Sequence, residues 1–280
     1  KAVVYRNGKE YTQEYMRGKP KYSVKEVGIT NKQGTKQTFS ADPTIFPEIS
    51  YNWKTILEHV RQQAYLTKGI SIRIFDKRTD THSSYSFYFE GGIISFVRHI
   101  ARGKVLFNDP PFYVEKKVGE NLVEVSLAYV DDYNEHVYTF ANNVFTVDGG
   151  THLVGFRTAL TRAINAYAKK NSLIKEGDQI TGEDVREGLT AVVSVKLPDP
   201  QFEGQTKGKL GNPEIRQAVD TAFNEYFGYY LDEHPTEARK IIEKTLLSAR
   251  ARLAARAARE TVLRKGALDG MTLPGKLADC

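Results

Sequence analysis

The first third of the chain is a series of short β-prone runs broken by turn residues. Ala2–Tyr5, Glu10–Tyr15 and Tyr22–Val27 read as strands, separated by Gly8, by Gly18-Lys19-Pro20 and by Gly28. Gly34-Thr35 opens a further strand through Phe39, and Asp42-Pro43 ends it. The apolar spacing then changes. Trp53, Ile56, Leu57, Val60 and Ala64 fall on one face of a helix predicted over Ser50–Leu66, with Ser50 as its N-cap and Gly69 as its stop. Ile70–Phe75 and Tyr85–Phe89 predict a hairpin around the polar loop Asp76–Ser83.

Gly91-Gly92 breaks the pattern and places a domain boundary near Phe89–Gly91. A short helix is predicted at Ile93–Ala101, followed by an antiparallel meander of Phe112–Lys117, Leu122–Val130 and His136–Asn142. Val123, Val125, Leu127 and Tyr129 alternate with polar or small residues, which predicts one buried face. Asp148-Gly149-Gly150 reads as a turn, with Thr151 capping a helix out to about Ala168. Thr181–Asp184 begins a short helix, and Leu189–Leu197 is a buried strand. Asn212-Pro213 has the cap and N1 proline of a helix that runs to about Leu231. Pro235 opens another, carried to Lys265 and stopped by Gly266, with the length of a connecting stalk and not of a core helix. No internal repeat is present. The mixture of strand and helix runs predicts an α+β (mixed α/β) fold with mixed sheets.

Composition adds bounds. A length of 280 residues gives a prior of two domains. Hydrophobic and charged shares of 40% and 26% fit a soluble globular protein, and no apolar run reaches the ~20 residues that span a membrane. The first residue is Lys1, so the chain reads as a piece of something longer. Cys280 is the only cysteine, which excludes an intramolecular disulfide and agrees with a reducing cytoplasm. His59, His82, His99, His136, His152 and His234 lie in separate segments without a zinc spacing, so no metal site is expected. A net charge of +6 permits nucleic acid as a partner without demanding it.

The chemistry centres on Phe202–Gly211, which sets three glycines, Gln205, Thr206, Lys207 and Lys209 between an apolar strand and a helix. Glycine lets backbone N–H groups approach phosphate oxygens, and lysine adds a point charge. The segment is not a Walker A loop. Gly204–Leu210 is one residue too short, and Gly270–Leu277 follows a helix; both end in leucine where a hydroxyl must hold magnesium. Two readings stand: a solvated turn, or a lysine that reaches a phosphate held by another domain. The arginines Arg252, Arg256 and Arg259 share a helical stripe that faces either DNA phosphates or water. His152 reads as a structural histidine, and Thr35 as a strand start.

Several long motifs carry a resemblance. Gln201–Asn212 resembles the QTK loop of the bacterial DNA gyrase B family. Asp148–His152 with Gly155-Phe156-Arg157 and Leu160-Thr161-Arg162 is similar to that family's DGGTH…GFR…LTR segment. Gly182–Leu189 resembles its GEDVREGL block, Ala64–Ile70 its AFLNKGI block, and Leu273–Cys280 its LPGKLADC link. Arg61-Gln62-Gln63 departs from the family's Arg-Glu.

The resemblance implies a division of labour. Residues 1–88 would be the C-terminal part of a GHKL ATPase sandwich, and 89–234 a transducer domain with a left-handed β-α-β crossover. Residues 235–265 would be a long connecting helix, and 266–280 a link to a TOPRIM domain. Lys207 would touch the γ-phosphate of ATP as the catalytic residue, Gln205 would assist, and Thr35 would lie beside adenine. ATP and Mg2+ are the implied cofactors. Double-stranded DNA, a second copy of the chain and gyrase A are the implied partners, in the cytoplasm and away from any membrane. The family's remaining ATP-site residues would precede Lys1, and its TOPRIM acids and strand-cutting tyrosine would follow Cys280. The chain alone is therefore expected neither to bind ATP well nor to cleave DNA. The other readings are a topoisomerase IV ATPase, a MutL- or chaperone-like GHKL protein, and a module that only binds DNA.

Overall fold

The computed structural model describes residues 1–78, 83–174 and 180–269, with 264–269 described by backbone alone. The LPGKLADC segment and the Gly270–Leu277 loop lie outside the described residues. The chain divides into two compact units, 1–56 and 57–280.

In the first unit, β1 (Ala2–Arg6), β2 (Lys9–Gln13), β5 (Lys25–Ile29) and β6 (Gly34–Gln37) form an antiparallel sheet in the order β5-β2-β1-β6. The two-residue turn between β1 and β2 is Asn7-Gly8, both at positive φ (54° and 76°). That backbone matches strand twist, and Asn-Gly adopts it at low cost. A small hairpin, β3 (Tyr15–Met16) with β4 (Lys19–Pro20), hangs from the end of β2. Helix α1 (Trp53–Leu66) begins later than its apolar spacing suggests. Asn52, not Ser50, supplies the cap: its Oδ1 accepts the Thr55 N–H at 3.0 Å.

The second unit takes in most of α1, followed by the hairpin β7 (Ile72–Asp76) and β8 (Ser83–Phe87), then α2 (Gly92–Ile100). Its main sheet is built from β9 (Phe112–Val118), β10 (Asn121–Tyr129), β11 (His136–Ala141), β12 (Val144–Phe145) and β13 (Leu189–Lys196). The order is β12-β11-β13-β10-β9, so the expected meander does not form. β13 enters between β10 and β11, antiparallel to the first and parallel to the second. The reason lies in its composition. Leu-Thr-Ala-Val-Val-Ser-Val is buried at every position, as only a central strand can be. The parallel pairing needs a long crossover. This is supplied by α3 (Thr151–Lys170) and α4 (Gly182–Arg186).

β10 is also buried on both faces, and not on one. Val123, Val125, Leu127 and Tyr129 face a core with α3, with α5 (Pro213–Glu233) and with the start of α6 (Pro235–Asp269). Ala128 shares the opposite face with Val192 and Phe140, under Ile93, Phe96 and Val97 of α2. Alternation hid this, because the second face uses small and polar residues such as Ser126 and Glu124, both buried.

α3 crosses α5 at Gly155, where a β-carbon would stand 2.3 Å from the Arg216 carbonyl oxygen. Thr151 is the first residue of α3 and Gly150 its cap. Asn212 precedes α5 without a side-chain cap bond. α6 is a core helix in its first half: Ala238, Ile241 and Ile242 are fully buried. Each buried isoleucine contributes about 1.5–3 kcal/mol. Only beyond Arg252 does α6 become exposed on all sides, and it passes through Gly266 to Asp269.

Candidate functional site

The glycine-rich stretch is the tip of a hairpin and not a direct strand-to-helix junction. β14 (Phe202–Glu203) pairs antiparallel with β15 (Lys209–Leu210), Phe202 opposite Leu210 and Glu203 opposite Lys209. The Lys207 N–H donates to the Gly204 carbonyl at 3.2 Å, closing a turn. Gly204 and Lys207 both have positive φ (74° and 56°). A lysine in the left-handed region is uncommon and costs energy, so the surroundings hold it there. Gln205, Thr206 and Lys207 are exposed, while Gly208 and Leu210 are buried.

The hairpin base is clamped from two sides. Asn212 accepts the Gln201 N–H at 2.6 Å and donates to the Asp199 carbonyl at 3.1 Å, and the Gly211 N–H donates to the Gln201 carbonyl at 2.7 Å. That use of its side chain is why Asn212 does not cap α5. On the other side lies the Asp148-Gly149-Gly150 turn. The Asp148 N–H donates to the Gly208 carbonyl at 2.9 Å, and the Leu210 N–H donates to the Gly149 carbonyl at 3.0 Å. Gly150 forms a parallel bridge with Leu210. A β-carbon on Gly208 would stand 2.6 Å from Asp148 Oδ2. The two glycine motifs, far apart in the chain, are one structure.

The two lysines of the hairpin differ. Lys209 Nζ lies 3.0 Å from a Glu203 carboxylate oxygen. Lys207 has no carboxylate partner among the described residues; its ammonium lies 5.8 Å from the centroid of the Phe202 ring. Lys207 thus keeps its charge available at an exposed tip whose backbone is held rigidly at the base. Gln205 stands on the same tip. Thr35 lies in β6 of the first unit, opposite Val4 on the sheet edge, and is exposed.

Sequence reasoning missed the residues that hold the hairpin from behind. The Gly149 N–H donates to the Thr146 carbonyl at 2.9 Å. The hydroxyls of Thr139 and Thr146 lie 2.7 Å apart, and each is also within hydrogen-bond reach of the other's carbonyl, at 3.0 and 2.9 Å. His152 Nε2 lies 3.0 Å from Thr146 Oγ1, and the imidazole is fully buried. Burial pushes its pKa down to about 4. A histidine two residues after a glycine pair was the available signal, but nothing local ties it to Thr146.

The arginine stripe of α6 is partly committed within the fold. Arg252 makes a bidentate pair with Asp184, at 2.8 and 3.0 Å, and Arg256 Nε lies 3.0 Å from Glu260. Among the described residues no group of three or more His, Cys, Asp or Glu is placed to hold a metal, and no helix is long and apolar enough to cross a membrane.

The family model for DNA gyrase B matches residues 92–261. The gyrase B protein of Enterococcus faecalis is 49% identical over 279 residues, covering 99% of this chain and 44% of that protein. The gyrase B protein of Bacillus cereus is 50% identical, covering 99% of this chain and 69% of its own length. Among solved structures, the 43K ATPase domain of Thermus thermophilus gyrase B, in complex with an aminocoumarin, superposes with a TM-score of 0.78 at 41% identity. The match covers 93% of this chain and 70% of that one. The topoisomerase IV ATP-binding domain of Francisella tularensis, bound to a small-molecule inhibitor, has the same TM-score at 27% identity, covering 90% and 69%. The chain spans less than half the length of the Enterococcus protein, but the family model takes in more than half of the chain and the Bacillus cereus relative is half identical to it: this chain belongs to the DNA gyrase B family.

Proposed function

We propose that this chain works within an ATP-dependent type II DNA topoisomerase of the gyrase B kind, coupling ATP binding and hydrolysis to DNA strand passage and supercoiling. Residues 1–88 act as the C-terminal part of a GHKL ATPase domain and 89–234 as the transducer. Residues 235–265 are the connecting helix, and 266–280 the link toward a TOPRIM domain. Double-stranded DNA, a second copy and gyrase A are its partners, in the bacterial cytoplasm. The names of the relatives favour gyrase over topoisomerase IV; the fold alone does not separate them, since both solved structures superpose equally well.

The observation that carries this reading is Lys207. It is exposed, held at positive φ, and without a carboxylate partner among the described residues, beside a lysine that has one. A structural lysine needs neither feature. When ATP is bound, the Lys207 ammonium donates to a γ-phosphate oxygen, with Gln205 donating beside it. At ~3 Å and an effective dielectric of ~20 the attraction is about 5 kcal/mol gross, before hydration and side-chain entropy reduce it. A net of ~1.4 kcal/mol already favours ATP over ADP about tenfold. Charge that builds on the transferring phosphoryl group strengthens the contact in the transition state. Thr35 lies beside adenine in this reading. Mg2+ would enter with the nucleotide, bridging its phosphates and neutralising their charge.

The test is Lys207→Ala in the full-length protein. ATP turnover is expected to fall about tenfold or more, with circular dichroism and melting temperature unchanged. Unchanged turnover would reject the nucleotide contact.

A further inference from the structure

His152 is buried in the core behind the Lys207 hairpin and is only half satisfied. Its Nε2 meets Thr146 Oγ1 at 3.0 Å, whereas Nδ1 has no hydrogen-bond partner among the described residues. Thr146 Oγ1 also lies 2.7 Å from Thr139 Oγ1 and 2.9 Å from the Thr139 carbonyl oxygen, which itself accepts the Thr146 N–H at 2.9 Å. The hydroxyl therefore joins His152 to β11 whichever of the two groups supplies the proton.

Stability does not ask for this arrangement. An apolar side chain of similar shape would fill the space and leave no unpaired buried atom. What the imidazole alone supplies is one directional bond to Thr146. Thr146 is the point where three elements meet. Its hydroxyl ties it to β11 through Thr139, and its carbonyl accepts the Gly149 N–H at 2.9 Å. The Gly149 carbonyl in turn accepts the Leu210 N–H at 3.0 Å, and the neighbouring Asp148 N–H reaches the Gly208 carbonyl at 2.9 Å. Gly208 follows Lys207 directly. A continuous set of short bonds runs from His152 on the first turn of α3 to the residue beside the exposed lysine.

We propose that His152 is a positioning residue for Lys207: its hydrogen bond through Nε2 to Thr146 sets the Asp148–Gly150 turn, and through it the placement of the hairpin tip against a nucleotide γ-phosphate. The inference rests on the nucleotide-contact reading of Lys207 given above. It predicts that loss of the bond loosens the hairpin without unfolding the sheet, so that discrimination between ATP and ADP suffers more than stability.

The experiment compares four variants of the full-length protein: His152→Leu, His152→Gln, Thr146→Val and Lys207→Ala. The readout is the ratio of dissociation constants for ADP and for a non-hydrolysable ATP analogue, with melting temperature measured alongside. His152→Leu and Thr146→Val each remove the bond and are expected to lower the ratio about fivefold or more, with melting little changed. His152→Gln keeps near the Nε2 position an amide that can donate or accept, and is expected to restore the ratio to within about twofold of the parent. If Lys207→Ala collapses the ratio but His152→Leu and Thr146→Val leave it intact, the positioning role is overturned and the nucleotide contact stands. If Lys207→Ala leaves the ratio intact, the nucleotide contact itself fails. If the Leu and Val variants do not fold, His152 is a core residue only, and the inference is likewise overturned.

Discussion

Gly150 lies flat against the backbone of Leu210: a β-carbon built on Gly150 would stand 2.3 Å from the Leu210 carbonyl oxygen and 2.5 Å from its nitrogen. Gly150 also has φ +137°, where side chains are strained whatever the space. Two independent constraints therefore fall on one position, and both serve to bring the α3 turn onto the Lys207 hairpin.

Gly150→Ala is expected to cost about 3 kcal/mol or more, from backbone strain and a clash that only movement of the hairpin can relieve. The measurement is the urea midpoint at unchanged slope. Gly204→Ala is the control. Gly204 has φ +74° but open space around its β-carbon position, so its expected cost is about 1 kcal/mol. Equal costs would mean that conformation alone, and not the close approach, makes glycine necessary at position 150.

His152 gives the fold an acid limit in a defined window. Burial holds its folded pKa near 4, against 6.5 unfolded. Between those values the unfolded chain binds the extra proton and the folded chain does not, so stability falls as pH drops from about 6.5 to about 4. The whole effect is about 3 kcal/mol. Glu124 acts in the opposite sense, because burial raises its carboxyl pKa and acidification relieves that penalty. The check is therefore a difference: unfolding free energy of the parent minus that of His152→Gln at pH 7 and at pH 4.5. The parent is expected to lose more on acidification, and equal losses would contradict the burial of a neutral imidazole.

Arg252 and Arg256 sit one helical turn apart on α6 and should behave differently. The Asp184 carboxylate is almost fully buried, with a side-chain exposure of 1%. Burial pushes its pKa up, but hydrogen bonds from Arg252 and Thr181 outweigh that and hold it below the usual carboxylate range. Arg252→Ala leaves the charge without its guanidinium, at an expected cost of about 2–3 kcal/mol. The Arg256–Glu260 pair is exposed, and Arg256→Ala should change stability by no more than about 0.5 kcal/mol. Chemical denaturation of both variants in low and high salt distinguishes the two, since only the exposed pair is screened.

Lys209 tests the specificity of the hairpin reading. It stands two residues from Lys207 but is paired with Glu203 at 3.0 Å on the surface. Lys209→Ala is expected to leave ATP turnover of the full-length protein within about twofold, and stability within about 0.5 kcal/mol. A loss as large as that of Lys207→Ala would make the hairpin a diffuse basic patch and not a single-lysine contact.

What is legible in the sequence is local. The Asn212-Pro213 start of α5, the Thr181–Asp184 capping box and the apolar run of β13 can be read from the chain because each is decided by residues within one or two turns of one another. The departures share a different property. The start of α1 goes to Asn52 because capping depends on a side-chain rotamer that apolar spacing does not report. The meander fails because a strand distant in sequence takes the central position, which order along the chain cannot reveal. α6 looks like a stalk because Ile241 and Ile242 are few among many charged residues, and only the packing of α6 against α4 and α5 makes them core.

By itself, then, the chain's order of residues determined most of the longer strands and helices, that Gly204–Gly208 leaves the regular pattern, and which family the motifs belong to. The tertiary structure alone decided that Asp148–Gly150 is the seat of the Gly204–Gly208 turn, that Lys209 pairs with Glu203 while Lys207 meets no carboxylate among the described residues, and that His152 stands behind that seat. The reason is physical: backbone propensity acts between neighbours, whereas hydrogen bonds such as Asp148 to Gly208 exist only once distant segments are packed together and water has been excluded from between them.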